Sequence, residues 1–391
     1  MNRLIITSCL IMLLSIAQAQ KSGYYFNAKS EVGYEHNLLK SPFQYQTADG
    51  VLQGRDELWK NAPNVGAGLR FMTYSNQKKH LLDLKTSYQQ SLFTQNIATD
   101  ASDLQLGLDY RYKSSKKWTN TVKIRGRDFV RTGQDEDNLL GVPLSYKSMS
   151  LADKLDFKLG KRWHFIAEPF SVLKNYKRQG FDRFFYLDNG LNADLTYNYL
   201  FKKKVGYFIH TAFHQRNYFI AKSLSVDEEE EEETDNRIWR YYSVGAGMKI
   251  PFGEKFKMTT KAVYTNRVDI IQERLGYNQF LLQSTFSFKN AKWKSDWDIS
   301  YYHRLYKEFT FKGVDQEEEL LVYQYLKLDW KLKYALTNRL DLFANAQTKF
   351  RFSNADNVQR RGMRSYFIYG YSVGLSWKLK GNYKTKKLKL R

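Results

Sequence analysis

Basic side chains recur at every second position in parts of this chain, and Lys123, Arg125 and Arg127 are the clearest example. In an extended strand, residues two apart point to the same face, so these three cations are expected to share one surface. Such a row suits anion attraction, as in pores lined by rings of lysine and arginine. A water-filled wall of paired acids and bases has the same pattern, and the sequence leaves both interpretations open.

Similar faces are predicted further along the chain. Lys257, Lys261 and Arg267 form a second basic set. Charges of both signs alternate with apolar residues in two more segments, at Lys154, Asp156, Lys158, Lys294, Asp296 and Asp298. A charge that faces lipid at the middle of a bilayer costs about 2–4 kcal/mol. If these segments cross a membrane, their charged faces must therefore line an aqueous interior.

One acidic block has low complexity and is predicted to lie in an extracellular loop. It comprises Asp227, Glu228, Glu229, Glu230, Glu231, Glu232 and Glu233. Like charges in such a block repel one another and keep it solvated. A cation-binding or partner-binding loop is the alternative, because carboxylates are good ligands for Ca²⁺ and Mg²⁺. The shorter clusters Asp135–Asp137 and Glu317–Glu319 are predicted to lie in long loops at the same end, where they would form an acidic rim.

The sequence predicts no catalytic, metal or cofactor site. His210 and His214 share a strand face, but they would lie about 13 Å apart, too far for one metal ion. They are interpreted as residues of the interior. The G-x-S-x-G and H-E-x-x-H motifs of hydrolases are absent. A hydrolase that uses His36 or His303 as its base is kept as a less favoured alternative.

The segments that carry these charges alternate strictly between apolar and polar residues. Across 326–334 the even positions are Leu, Leu, Trp, Leu and Tyr, whereas the odd positions are Lys, Asp, Lys and Lys. Similar alternation runs through 103–112, 191–201 and 340–352. A helix would scatter these apolar residues around its circumference, whereas a strand gathers them on one face. The pattern therefore predicts an all-β protein.

About sixteen long strands are predicted, with fourteen or eighteen as alternatives. They are placed at 23–34, 64–75, 80–92, 103–113, 117–130, 147–159, 162–174, 188–201, 205–218, 238–252, 255–268, 278–289, 292–306, 320–334, 339–352 and 364–379. Strands of about 10 residues are long enough to cross a bilayer, and charged faces would not fit the core of a soluble sandwich. The prediction is an antiparallel up-and-down transmembrane barrel over 20–380.

Connections between these strands alternate between tight turns and longer loops, as in outer-membrane barrels with periplasmic turns and extracellular loops. Both termini are then predicted to be periplasmic. The longest loop, Glu35–Pro63, could narrow a pore. Tryptophans are predicted at interface depth, near the turns at Trp118, Trp163, Trp293 and Trp377 and near the loops at Trp59 and Trp239.

The N-terminus has the features of a cleaved secretory signal peptide over 1–19. Leu4–Ile16 is apolar, and Ala17-Gln18-Ala19 is an A-x-A cleavage site. The single cysteine, Cys9, lies within it, so the mature chain would lack a thiol. The net charge of +22 is assigned to anionic lipid or solutes rather than nucleic acid, because the chain is exported. Residues 381–391 are predicted to form a basic periplasmic tail.

With this signal site, strand pattern and alternation of turns and loops, the chain resembles a Gram-negative outer-membrane β-barrel protein of the porin-like type. Its Tyr-, Lys- and Asn-rich composition is similar to that of barrels from Bacteroidota. The resemblance implies a channel for passive or weakly selective passage of small hydrophilic solutes. A preference for anionic solutes is the more specific hypothesis. A non-conducting barrel that docks a lipoprotein, another envelope partner or surface-polymer machinery is the alternative. No individual family is indicated.

Overall fold

A computed structural model describes residues 22–37, 45–46, 52–53, 61–77, 79–94, 100–131, 134–135, 142–143, 145–176, 185–198, 205–222, 236–271, 275–312, 317–355 and 365–381. The predicted signal peptide, the acidic run 227–233, Trp59 and residues 382–391 of the tail lie outside the described residues. No helix long and apolar enough to cross a membrane occurs in the described part of the chain.

The chain folds into a closed antiparallel barrel of sixteen strands. The strands are β1 (Ser22–His36), β2 (Ala62–Gln77), β3 (His80–Phe93), β4 (Ala101–Tyr112), β5 (Trp118–Arg131), β6 (Tyr146–Leu159), β7 (Trp163–Tyr176), β8 (Tyr186–Asn198), β9 (Gly206–Lys222), β10 (Asn236–Phe252), β11 (Phe256–Asp269), β12 (Tyr277–Lys289), β13 (Trp293–Lys312), β14 (Glu318–Ala335), β15 (Leu340–Ser353) and β16 (Tyr366–Gly381). The all-β fold and the strand number predicted from the sequence are confirmed.

Closure is made between the first and last strands. Val32 of β1 pairs with Val65 of β2 on one side and with Val373 of β16 on the other. Every barrel strand is thus paired along both edges. A closed sheet leaves no row of unpaired backbone groups, which hydrocarbon could not hydrogen-bond.

Large apolar side chains cover the outside of the barrel. Val32 is 56% exposed, and Val244, Ile209 and Leu69 are exposed to a similar degree on their own strands. These residues occupy one parity of each strand, while charged residues occupy the other. A continuous apolar outer surface around a polar interior is the arrangement of a transmembrane barrel of the outer-membrane type.

The two ends of the barrel differ in their connections. The turn end, as we call it, has the connections 113–117, 160–162, 253–255 and 290–292, together with Ser22 and Gly381. Gly160 and Gly253 have positive φ angles of 79° and 71°, which glycine adopts without steric cost. The opposite end, which we call the loop end, includes the segments 37–61, 132–145 and 223–235 between consecutive barrel strands.

Four tryptophans lie at the turn end as the sequence predicts. Trp118, Trp163, Trp293 and Trp377 are each exposed on the outer surface at the start or end of a strand. Indole rings favour this depth, where an apolar body and a polar N–H meet the membrane interface. The turn end therefore carries an aromatic girdle.

The prediction that Trp239 lies in an aromatic girdle at the loop end is wrong. Trp239 is only 4% exposed, and it lies on the parity of β10 opposite to that of the exposed Tyr242 and Val244. Its side chain therefore points into the barrel. The prediction considered how far along the strand Trp239 lies but not which face it occupies.

A second correction concerns the predicted loop between Tyr306 and Glu319. Strand β13 continues to Lys312, and β14 begins at Glu318, which pairs with Lys312. The pairing register shifts between Leu305 and Thr310. This irregularity breaks the apolar–polar alternation, so the sequence pattern ends before the strand does. Glu318 and Glu319 consequently belong to a strand.

Candidate functional site in the barrel interior

Contacts that pass over intervening strands identify the interior face. Arg131 of β5 binds Glu35 of β1 at 3.0 Å, and Lys123 of β5 binds Glu168 of β7 at 2.5 Å. Side chains converge on the concave side of a closed sheet and diverge on the convex side. Such contacts are therefore made inside the barrel, and strand alternation assigns the other inward residues.

The first predicted basic set lies on this interior face and is paired with carboxylates. Besides the Lys123–Glu168 pair, Arg125 forms an ion pair with Asp109. Arg127 makes a two-point contact with Asp103, from Nε at 2.8 Å and from Nη2 at 3.0 Å. For these residues, the geometry matches the interpretation of a paired wall.

A cavity of about 550 Å³ lies against β1–β5. Lys29, Lys85, Asp103 and Arg125 are among the residues that line it. Gly68 leaves space here, because a Cβ atom at that position would lie 2.8 Å from Cε of Lys29. We refer to the inward faces of β1–β7 as the paired wall.

The second predicted basic set divides between two environments. Lys257 and Lys261 are on the inward face of β11, one exposed and one half-buried, and neither forms an ion pair within the described part of the chain. Arg267, on the same strand near the loop end, is only 8% exposed and lies among aromatic rings.

Arg267 belongs to a row of inward side chains in which rings and cations alternate from strand to strand. Each strand from β8 to β16 contributes one member. The row consists of Tyr186, Arg216, Tyr241, Arg267, Tyr277, Arg304, Tyr325, Lys349 and Tyr366. We call this row the cation–aromatic belt, and it lies towards the loop end.

Contacts within the belt place each guanidinium against ring faces. The central atom of the Arg216 guanidinium lies 4.3 Å from the centre of the Tyr186 ring. The Arg267 guanidinium lies 4.2 Å from the centre of the Trp239 ring and 4.1 Å from that of Tyr277. The Arg304 guanidinium lies 4.5 Å from the centre of the same Tyr277 ring. A cation over an aromatic face is attracted by the ring quadrupole, most strongly where water is excluded.

The rings of the belt are buried, while several of its cations reach the interior space. Tyr241, Tyr277 and Tyr325 are 6–7% exposed, whereas the Arg216 side chain is 23% exposed and Arg304 is half-buried. The rings therefore form the support, Arg216 and Arg304 form part of the accessible surface, and Arg267, at 8% exposed, is nearly as buried as the rings.

Carboxylates neutralise only part of the belt. Arg216 binds Asp188, with Nη2 2.8 Å from Oδ2. Arg267 instead donates from Nε to the backbone oxygen of Leu275 at 2.8 Å, and Arg304 donates from Nη2 to Oε1 of Gln279 at 2.8 Å. Neither of these two guanidiniums has a carboxylate partner among the described residues.

Two buried polar atoms beside the belt have no hydrogen-bond partner among the residues that the structure describes. They are Nε1 of Trp239 and Oδ1 of Asp269, and these two residues face each other across β10 and β11. Burial of an unpaired donor or acceptor is costly. The first atom offers an unused donor at the edge of the belt, and the second places one carboxylate close to Arg267.

The two histidines that share a strand face have separate acidic partners. Nδ1 of His210 lies 2.8 Å from Asp194, and Nδ1 of His214 lies 2.6 Å from Asp188. The His214 ring also stacks on Tyr241 at 4.1 Å. The described residues contain no group of three His, Cys, Asp or Glu side chains that could hold a metal ion.

Basic residues crowd the turn end. Asp341 binds both Lys333, at 2.7 Å, and Lys378. In the connection after β4, partial burial lowers the pKa of Lys113, and the nearby Lys158 and Lys116 lower it further. The direction is that expected where like charges oppose ionisation.

Sequence reasoning did not find the belt. Aromatic residues are interpreted there as strand formers or girdle residues. The number of basic residues is considered, but the residues that contact each of them are not. One signal was available: β10 has consecutive aromatic residues, Tyr241 and Tyr242, which cannot both face lipid in a strand.

Comparison with known proteins places the chain in no family. No family model and no curated protein matches it. Among solved structures it is similar to the outer-membrane channel DcaP of Acinetobacter baumannii (11% identity, 92% and 97% of the two chains, TM-score 0.46). It is also similar to Salmonella typhi OmpF in complex with daunomycin (12%, 92% and 97%, 0.46) and to an anion-selective porin from Comamonas acidovorans (9%, 92% and 100%, 0.41). At these values the likeness carries no argument about function.

Proposed function

We propose that this protein is a porin-like outer-membrane channel for small hydrophilic solutes, passive or weakly selective and favouring anions. The interior of the closed barrel supports this most directly. Its charged side chains keep substantial exposure, 39% for Arg125 and 42% for Lys327, while the outer surface is apolar. A barrel of about sixteen strands is wide enough for an aqueous channel.

The proposed orientation puts the turn end in the periplasm and the loop end outside the cell. Short connections and both described ends of the barrel lie at the turn end, as in bacterial barrels. The predicted signal peptide fits export through the inner membrane. In this orientation the cation–aromatic belt lies near the extracellular mouth.

The preference for anions follows from interior cations that lack acidic partners. Arg267 and Arg304 are bound to neutral oxygens, and Lys257 and Lys261 form no ion pair in the described interior. A net positive lining raises the local concentration of anions and lowers that of cations.

Planar bilayer recordings test this function. We expect stable single-channel steps and a reversal potential in a KCl gradient that shows higher permeability for chloride. The double variant Lys257→Gln/Lys261→Gln should lower this preference, because it removes two interior charges, whereas Lys292→Gln, in an exposed turn, should leave it nearly unchanged. A silent barrel or a cation preference in the unaltered protein would contradict the proposal.

A second candidate is a non-conducting barrel that docks a lipoprotein or another envelope partner. The observation in its favour is the dense packing near the loop end, where Phe309, Leu321 and Tyr366 have essentially no exposed surface. A purified barrel that inserts into bilayers without conducting, and that co-purifies with a lipoprotein, would support this candidate instead.

A further inference from the structure

We propose that the cation–aromatic belt binds oligoanions, meaning solutes with two or more carboxylate, sulfate or phosphate groups within about 10 Å of one another. The inference deepens the proposed channel function by naming the solute class that its interior recognises. It concerns binding at the belt, so it can be tested whether or not ions flow through the barrel.

The first argument is the way in which the rings hold the cations. Tyr277 has Arg267 at 4.1 Å and Arg304 at 4.5 Å from its centre. Both guanidiniums are also held by hydrogen bonds from Nε and Nη2 to one neutral oxygen, of Leu275 for Arg267 and of Gln279 for Arg304. A guanidinium fixed in this way loses less rotamer freedom when it binds. An aromatic partner also leaves the positive charge in place, whereas a carboxylate partner would cancel it. The belt therefore presents oriented cations that retain their charge.

The second argument is spacing. Cations come from alternate strands, at Arg216 on β9, Arg267 on β11, Arg304 on β13 and Lys349 on β15. Neighbouring strands lie about 4.8 Å apart, so the backbones that carry successive cations are about 10 Å apart along the wall. The Arg267 and Arg304 guanidiniums are closer than this, because they lie 4.1 Å and 4.5 Å from the centre of the same Tyr277 ring. One small anion can satisfy one such cation. A solute with several acidic groups can contact two or more at once, and each additional contact forms at a high effective concentration.

The third argument is the unfilled hydrogen-bonding capacity at the centre of the belt. Arg267 and Arg304 donate to the neutral oxygens of Leu275 and Gln279. Nε1 of Trp239, a residue that is only 4% exposed, has no acceptor in the described part of the chain. Poorly solvated cations without counter-charges are costly, and an oxyanion would supply both the charge and an acceptor. These donors are grouped around one ring system, because Arg267 stacks on Trp239.

Asp269 sets a limit on the affinity. Its carboxylate is 1% exposed and lies two residues from Arg267 on the same face of β11. It opposes a bound anion, and Asp188 already neutralises Arg216 at the other side of Tyr241. The centre of recognition is therefore Arg267 and Arg304, with their shared ring Tyr277.

Isothermal titration calorimetry on the purified full-length barrel in detergent provides the test. The probes are an oligogalacturonate, a sulfated oligosaccharide and tripolyphosphate, with acetate and a neutral maltooligosaccharide as controls. We expect at least one oligoanion to bind about tenfold or more tightly than acetate, and no binding of the neutral sugar. The probe that binds most tightly identifies which oxyanion, carboxylate, sulfate or phosphate, the belt prefers. Equal affinity for acetate and all three oligoanions would overturn the proposal.

Matched variants locate the binding. Arg267→Gln/Arg304→Gln should weaken oligoanion binding about tenfold or more, since each charge-assisted contact contributes roughly one such factor. Lys257→Gln/Lys261→Gln removes the same charge from the interior outside the belt and should change the affinity less than about twofold. Equal losses in the two double variants would overturn the belt as the site.

Asp269→Asn keeps the proposal falsifiable if the arginine double variant does not fold. Removal of the neighbouring negative charge should strengthen oligoanion binding several-fold, and an unchanged or weaker affinity would contradict the proposal. Bilayer recordings separate the two proposals. Oligoanion binding in a barrel that does not conduct rejects only the channel, whereas conduction without oligoanion binding rejects only the belt.

Discussion

The paired wall and the cation–aromatic belt contain the same kind of cation in opposite surroundings. On the paired wall, Arg125 faces Asp109 and Arg127 faces Asp103. In the belt, Arg267 and Arg304 face tyrosine and tryptophan rings. Both arrangements hold a guanidinium in place near an aqueous interior. Within the described ranges, only the second leaves the charge of the guanidinium without an acidic partner.

This difference teaches that the number of basic residues is a poor measure of how strongly a barrel interior attracts anions. A carboxylate at hydrogen-bond distance occupies the donors of an arginine and cancels its field at long range. A ring face occupies none of the in-plane donors. Among the described residues, the basic set at 123–127 is paired with carboxylates although it is the most regular in the sequence, whereas Arg267 and Arg304 lie against rings.

The largest effect is expected from removal of a ring while every charge is kept. Tyr277→Ala deletes the ring between Arg267 and Arg304 and should lower oligoanion affinity about tenfold. It should also destabilise the barrel by about 3–5 kcal/mol, because Tyr277 is buried. Calorimetry and urea unfolding in lipid measure the two effects. Tyr277→Phe is the control, and it should keep the affinity; a loss as large as in the alanine variant would show that stacking is not the cause.

A smaller effect is expected when the carboxylate is removed from the paired wall. Asp109 is the common partner of Lys85 and Arg125, so Asp109→Asn should destabilise the barrel by about 1–3 kcal/mol. Urea unfolding would measure this loss. The double variant Asp109→Asn/Arg125→Gln should lose less than the sum of the two single variants, because the pair is coupled. Additive losses would contradict the description of this wall as paired.

The smallest effect is expected from Arg267→Lys, which keeps the charge of the belt but replaces the planar fork by a point charge. Oligoanion affinity should fall about threefold, since lysine stacks less well and donates in no fixed plane. Lys261→Arg, a reciprocal change outside the belt, should leave the affinity unchanged in the same titration. A larger fall in affinity for Lys261→Arg than for Arg267→Lys would show that the recognised cation is Lys261 and not Arg267.

The architecture could be predicted from the sequence because the bilayer imposes a simple rule. Residues with one parity meet lipid, residues with the other parity meet water, and each crossing needs a similar length. Most predicted strands agree with the structure to within a few residues. The exception at Tyr306–Glu319 arises where the register shifts between Leu305 and Thr310, since one irregularity reverses the parity on which the rule depends.

The partners of the interior residues could not be predicted. The Lys123–Glu168 pair passes over β6, and the contacts of Arg267 come from β10, β12 and β13. Such contacts depend on stagger between strands and on curvature, neither of which is encoded in local alternation. The sequence therefore predicted the inward direction of Lys123, Arg125, Arg127 and Arg267 but not which of them would be neutralised.

The pairing of β1 with β16 has a consequence for biogenesis. Ser376 bonds to Asn27, which lies at the other end of the polypeptide, so the sheet keeps two open edges until its last strand is available. Contacts of such long sequence range form slowly and leave earlier states prone to association. Tyr366 of the belt belongs to this last strand. A chain that stops before β16 would thus lack both the closure of the barrel against lipid and the Tyr366 end of the belt, so that one truncation removes two features that lie far apart in the sequence.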